Sequence, residues 1–305
     1  MDFSVVIPVY KRINLLENCL ESIYNQILKP IEIIIVDNNT SNDESFLLSR
    51  LINKFKSKSI ININIFKSPK NSGAIARNIG VKNVKTDLVA FLDSDVILEI
   101  DYYYELIEYF KKKKDLIAIQ GCDLAFIESQ KKFSKCRKIF PKLLNSFEQI
   151  FETSTLINKK FAYVSPSLAV AHPNVKEDFE VNSQWISTCA GIFKRELFNR
   201  YEFPEQFITY SNNEYLFLSY SLFKNKEGEM IYTSKAKYRD VQTSLGRLNY
   251  IPLIFQIEVN DYYIFLKLFD KNIHNLLIFF KSRIGHLIYN LGSLKSKKLF
   301  SVKNI

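Results

Sequence analysis

Apolar and polar positions change rhythm several times along this chain, and each change marks an element. "FSVVIPVY" is an apolar, β-rich run, and "INLLENCLESIYNQ" places Leu15, Leu16, Cys19, Leu20 and Ile23 at helical spacing. "IEIIIVDNN" reads as a second buried strand ending in Asp37, and "DESFLLSRLINKFKSK" as a second amphipathic helix. "INININIF" alternates with the period of two expected of a third strand. Ser72 and Gly73 open a helix over "SGAIARNIGVKNV", and "LVAFLDSDV" is a fourth strand. This βαβαβαβ rhythm predicts a mostly parallel, Rossmann-like sheet with helices on both faces. Ligands bind such sheets beyond the carboxyl ends of the strands. Tyr10, Asp37 and Asp93 all fall there.

Beyond Asp95 the pattern loosens. "DYYYELIEYFKKKK" predicts a helix with a solvated lysine end, and residues 120–200 mix short strands and loops. "YLFLSYSLFK" is helical, and from Tyr250 onward the chain is aromatic-rich and helical. Soft boundaries near residues 98 and 248 divide it into a first half (1–98), a second half of the same domain (99–248) and a C-terminal helical, basic-aromatic extension (249–305).

The 305 residues, 47% of them hydrophobic, are enough for a sizeable core. A formal net charge of +10 points to an anionic partner. Nucleic acid rests on that charge alone, with no recognisable module, and is set aside. Cys19, Cys122, Cys136 and Cys189 lie far apart without metal spacing and read as reduced thiols of a cytoplasmic protein. No cleavable signal and no run of 18 uncharged apolar residues is visible.

The chemistry concentrates in "LVAFLDSDV". A buried strand has no structural use for two carboxylates at its end, because they repel and resist desolvation. A Mn²⁺ or Mg²⁺ ion shared with a diphosphate would compensate Asp93 and Asp95. The bland alternative is an Asp–Ser–Asp turn capping a helix at Val96. Asp37 could accept from a nucleobase N–H, with Pro8 and Tyr10 supplying backbone and an aromatic face, or could simply cap a helix or turn. The first strand leads into "VYKR" with no glycine loop, so neither a GxGxxG nor a Walker A cradle is present.

"SVVIPVYKRINLLENCLESIYNQ", "IEIIIVDNNTSND", "NSGAIARNIGV" and "LVAFLDSDV", in this order, resemble family 2 glycosyltransferases of the GT-A fold. "STCAGIFKRELF" and "YEFPEQFITYSNNEYLFLSYSL" resemble that family's acceptor-side segment. The resemblance implies that Pro8, Tyr10 and Asp37 bind the base and that Arg77 lies near the diphosphate or sugar. It also implies that Asp93 contacts ribose or metal, that Asp95 ligates the metal, and that transfer inverts the anomeric carbon. The implied donor is a nucleoside-diphosphate sugar, a UDP-sugar being favoured, carrying a hexosyl or N-acetylhexosaminyl group.

Two departures stand where the chemistry should be. The family's usual Glu-Asp pair is replaced by "SNNEYLF", which aligns as Asn212 and Asn213 in one register or as Glu214 and Tyr215 in another. Neutral Asn cannot serve as a base and Tyr has too high a reference pKa, so Glu214 is the expected general base. Where the family often carries a metal-binding His, "AKYRDVQTS" offers Asp240. Trp185 is either an apolar platform for an acceptor sugar or a core residue. After Asp270 no acidic residue follows, while Lys271, Lys281, Arg283, Lys295, Lys297, Lys298 and Lys303 alternate with aromatic and aliphatic runs. Such a tail suits an anionic membrane surface, or is a packed helix with a basic end. The expectation is a peripheral enzyme of the inner membrane face that builds bacterial surface polysaccharide on a glycan or lipid-linked acceptor. The alternative is a catalytically impaired sugar-nucleotide-binding protein.

Overall fold

A computed structural model describes residues 1–57, 61–128, 150–152, 156–157, 161–173, 178–209, 211–241 and 249–301. Strands β1 (Phe3–Val9), β2 (Glu32–Asp37), β3 (Asn62–Lys67) and β4 (Leu88–Phe91) alternate with helices α1 (Ile13–Tyr24), α2 (Asn42–Lys56) and α3 (Gly73–Lys82). The four strands are parallel, in the order β3-β2-β1-β4. Burial on both faces explains their continuous apolar runs. Phe3, Val5, Ile7 and Val9 of β1 pack into one core with Leu16 and Leu20 of α1 and Leu48 and Ile52 of α2. Val6 faces the other core with Ala74, Ala76 and Val81 of α3. Helix α3 lies so close to β1 that a Cβ on Gly80 would meet Val6 Cγ1 at 2.2 Å. That approach accounts for a glycine inside a helix, where it is otherwise unfavourable.

The sheet then continues through β5 (Val96–Leu98), β6 (Leu116–Asp123), β8 (Phe161–Ala162), β10 (Glu180–Ser183), β11 (Gly191–Lys194) and β12 (Glu229–Asp240). Two short strands, β7 (Leu156–Ile157) and β9 (Ala171–His172), pair separately. Strand β11 inserts antiparallel between β4 and β6, and β12 runs parallel to β6 but antiparallel to β10 and β5. The sheet is therefore parallel in its first half and mixed in its second. Among the described residues ten strands form one sheet across residue 98, with β4 and β5 joined to β11 and β12.

Further helices among the described residues are α4 (Tyr102–Lys112), α5 (Glu214–Lys224), α6 (Tyr250–Leu268) and α7 (Ile273–Ser301). Helices α6 and α7 run antiparallel, since Tyr250 meets Asn290, Glu258 meets Arg283, and Phe265 stacks on Phe279 at 4.2 Å. Cys19, Cys122 and Cys189 carry free thiols, as expected from their spacing. Cys136, Lys303 and the boundary near residue 248 lie outside the described residues.

Candidate active site

Strand β4 stops at Phe91, and the Asp–Ser–Asp segment turns at once, the Val96 N–H donating to the Asp93 carbonyl at 3.2 Å. Val96 opens strand β5 instead of a helix, so the helix-capping alternative for this segment does not occur. The turn lies beside a cavity of about 460 Å³ at the carboxyl ends of the parallel strands. Pro8, Tyr10, Arg77, Asp93, Asp95, Glu214 and Asp240 all line it, so seven residues singled out in the sequence share one wall system.

What compensates the two carboxylates is visible directly. Arg77 donates to Asp93 Oδ1 at 2.7 Å, and Arg12 donates to Asp95 Oδ2 at 2.5 Å. Arg12 was not anticipated as a site residue. It follows β1 in "VYKR", where Lys11 and Arg12 both take left-handed backbone with φ of 57° and 47°. Non-glycine residues rarely hold that conformation, and it concentrates at functional sites. The signal in the sequence was the missing glycine loop itself: two cations stand where a phosphate cradle would otherwise be.

Arg77 is buried and grips a second carboxylate, Glu214 Oε1, at 2.8 Å. Glu214 is the first residue of α5, and the Thr188 hydroxyl donates to the same oxygen at 3.3 Å. Burial, with help from the charge of Asp93, raises the Glu214 carboxyl above its ordinary range, although Arg77 pulls the other way. Asn213, before it, sits in left-handed backbone at φ 66° and donates to Asp261 of α6 at 2.6 Å. Asn212 and Asn213 both line the cavity.

Asp240 reaches the cavity through sheet pairing. It is the last residue of β12 and sits opposite Val96 in β5, while the Val241 N–H donates to the Asp95 carbonyl at 2.9 Å. Cys189, on the loop before β11, accepts the Asp93 N–H through its carbonyl at 2.9 Å. Burial of the Cys189 thiol, together with the charges of Asp93, Asp240, Asp95 and Asp123, holds it well above its usual pKa. Four carboxylates from three separate segments, the acidic turn and the ends of β6 and β12, thus act on one thiol.

Two expected residues stand apart from the cavity. Asp37 is buried and accepts from the Ser45 hydroxyl at 2.6 Å, from Lys67 at 2.9 Å and from the Asn39 N–H at 2.9 Å. Burial pushes its pKa up, but these donors outweigh it and hold the carboxyl below the usual range. Its neighbour Asn38 is the residue of that loop on the cavity wall. Trp185 is also buried, with its indole N–H on the Ala171 carbonyl at 3.2 Å. It lines a second, smaller cavity of about 180 Å³ that shares Ser187 and Tyr215 with the first.

Among the described residues no three His, Cys, Asp or Glu side chains converge closely enough to enclose a metal by themselves. The donor set is still of the right kind for Mg²⁺ or Mn²⁺. These ions take one or two carboxylates and complete their shell with phosphate oxygens and water. Asp93, Asp95 and Asp240 offer such carboxylates in one cavity.

Comparison with known proteins agrees with this architecture. The chain is 31% identical over 170 residues to "Glycosyltransferase GlyA" of Streptococcus pneumoniae, an alignment covering 53% of this chain and 23% of that protein. It is 27% identical over 172 residues to "GalNAc(5)-diNAcBac-PP-undecaprenol beta-1,3-glucosyltransferase" of Campylobacter jejuni, covering 52% of this chain and 54% of that protein. The chain therefore spans about a quarter of the first relative and about half of the second. Among solved structures, GalNAc-T7 with UDP, GalNAc and Mn²⁺ superposes with a TM-score of 0.56 at 12% identity, covering 83% of this chain and 45% of that one. S. aureus TarS 1-349 gives 0.53 at 16% identity, covering 95% and 72%. At such identities the likeness is one of fold, and that fold is GT-A. The model of "Glycosyl transferase family 2" matches residues 4–168, which carry β1 to β4 and the acidic turn, and the chain belongs to that family.

Proposed function

We propose that this chain transfers a hexosyl or N-acetylhexosaminyl group from a nucleoside-diphosphate sugar to a hydroxyl of a glycan or lipid-linked acceptor. The observation that carries it is the meeting of Asp93, Asp95 and Asp240 with Arg12, Arg77 and Glu214 around one cavity. A UDP-sugar is the favoured donor, in keeping with the UDP-GlcNAc complex of S. aureus TarS 1-349 and the UDP and Mn²⁺ of GalNAc-T7. A bacterial surface polysaccharide is the favoured product, in keeping with the name "Minor teichoic acid biosynthesis protein GgaB" borne by a Bacillus subtilis relative.

In this reading Pro8 and Tyr10 border the base, and Asn38 presents the polar group of the Asp37 loop. Asp37 itself would exchange one of its present donors for a base N–H. Asp95, Asp93 and Asp240 would hold the divalent ion, which supplies charge neutralisation for the departing diphosphate. Arg12 and Arg77 keep the acidic wall from repelling itself before the donor arrives. Arg77 also orients Glu214, whose raised pKa suits it to take the acceptor proton. The acceptor oxygen attacks the anomeric carbon in line, the bond to phosphate breaks, and the configuration inverts.

A panel of nucleotide sugars with Mn²⁺ and Mg²⁺, read by nucleotide release and thermal stabilisation, tests the assignment. Asp95→Asn is expected to lose turnover and metal dependence together. Glu214→Gln is expected to lose turnover while donor binding persists. An Asp95→Asn variant with unaltered turnover and metal response overturns the assignment. Asn212 and Asn213 on the cavity wall, in place of an acidic pair, favour one second reading: a sugar-nucleotide-binding protein without transfer. Calorimetric donor binding with no transfer or donor hydrolysis would establish it.

A further inference from the structure

The C-terminal hairpin has two different faces. Inward, it is built into the pocket wall. Asn260 donates to the Asn212 carbonyl at 2.9 Å, Asp261 accepts from Asn213, and Thr209 donates to Gln256 at 2.9 Å. Arg283 of α7 clamps Asp261 at 2.6 Å. Outward, α6 exposes Ile251, Phe255, Val259, Tyr262 and Leu266, and α7 exposes Ile273, Leu277, Phe280, Ile284 and Leu287. Steps of three and four residues put each set on one helical stripe. Large apolar side chains are individually normal on a surface, but two neighbouring stripes of five form a patch that marks an interaction site. Only the α7 part lies in the basic tail that the sequence pointed to; α6 doubles the surface.

The charge pattern selects the occupant. From Lys271 onward there are seven basic residues and no acidic one. The acids of α6 that lie opposite α7, Glu258 and Asp261, are engaged by Arg283 on the inward side. Lys271 is exposed beside the stripe, and Lys281 follows Leu277 by one helical turn. A second copy of this chain would bring like charge against like. Anionic phospholipid supplies the opposite charge and an apolar layer for the stripes. Among the described residues no helix is long and apolar enough to cross a membrane. We infer that α6 and α7 together form a docking face for an anionic phospholipid surface, lying in the interface with both apolar stripes inserted.

Sedimentation of the full chain with vesicles tests this without nucleotide, sugar or acceptor, so its outcome is separate from that of the transfer reaction. The chain is expected to pellet with vesicles of three parts phosphatidylcholine to one part phosphatidylglycerol, and far less with phosphatidylcholine alone. Phe255 and Phe280 are 71% and 53% exposed, so Phe255→Glu and Phe280→Glu should melt like the parent. Each is expected to lower partitioning by about tenfold or more. Lys271→Gln and Lys281→Gln, which leave the stripes intact, should each lower it by about fivefold. Equal capture by neutral and anionic vesicles, or capture unaffected by both phenylalanine variants, overturns the inference. So does a solution dimer that Phe255→Glu dissociates in a chain that ignores vesicles.

Discussion

Arg77→Met is the most informative perturbation of the site, because one buried guanidinium holds two carboxylates. Side-chain exposure is 8% for Arg77 and 7% for Glu214, against 36% for Asp93. The Asp93 contact is therefore largely screened by water and contributes little. The Glu214 contact is dry. Removing one partner of a buried pair leaves an uncompensated charge and costs about 3–5 kcal/mol. At roughly 2–4 °C per kcal/mol for a chain of this order of size, the melting temperature should fall by about 6 °C or more. Glu214→Gln keeps the volume and leaves Arg77 its Asp93 partner, so it should cost about 1–3 kcal/mol. The double variant should be more stable than Arg77→Met alone, since the stranded carboxylate has gone. A coupling of about 1–3 kcal/mol is expected from the cycle. Thermal melts followed by circular dichroism, without nucleotide or divalent metal, measure all four proteins. If Arg77→Met melts within about 2 °C of the parent, or the double variant is no better than the single, the pair is not the buried clamp described.

Other predictions follow from particular contacts. Gly80→Ala forces a methyl group onto Val6 and should cost about 1–3 kcal/mol, with partial recovery when Val6→Ala is added; denaturant midpoints check it. His172, ringed by Phe126, Trp185 and Tyr232, has its pKa pushed down by burial to about 3. The unfolded chain, with a His pKa of about 6.5, takes up a proton below that value which the folded chain refuses, so stability is lost as pH falls. Between pH 6 and pH 4.5 the parent should lose about 2 kcal/mol more than His172→Gln, measured by urea unfolding at each pH. Arg283→Met strands Asp261, whose carboxyl is raised by burial against the pull of Arg283. It should cost about 3 kcal/mol and slow any transfer, because Asp261 anchors Asn213; a melt and a turnover assay on the same preparation check both.

The first hundred residues were legible because their information is local. An apolar strand, an amphipathic helix and a capping serine are each written in a few adjacent residues. Ser72 accepts the Ile75 N–H as the helix-start pattern requires, and Ser41 does the same for α2 through the Glu44 N–H. The alternation also fixed which end of the sheet would carry Tyr10 and the Asp93 turn. The second half was less legible because its strands are short and their partners distant. Nothing near Gly191 announces that β11 will run antiparallel between β4 and β6.

The sequence by itself therefore determined the parallel half of the sheet, the acidic turn at its edge and the excess of cations near the C-terminus. Tertiary structure alone decided which charges meet. Arg12 finds Asp95 across 83 positions, Arg77 joins Asp93 to Glu214, and Asp240 arrives beside the turn by strand pairing. It also turned Asp37 toward Lys67 and buried the Trp185 ring. The physical reason is that local patterning fixes which elements form and which faces they bury. Compensation of buried charge is a matter of distances of about 3 Å between groups far apart in the chain, and only the packed sheet sets those.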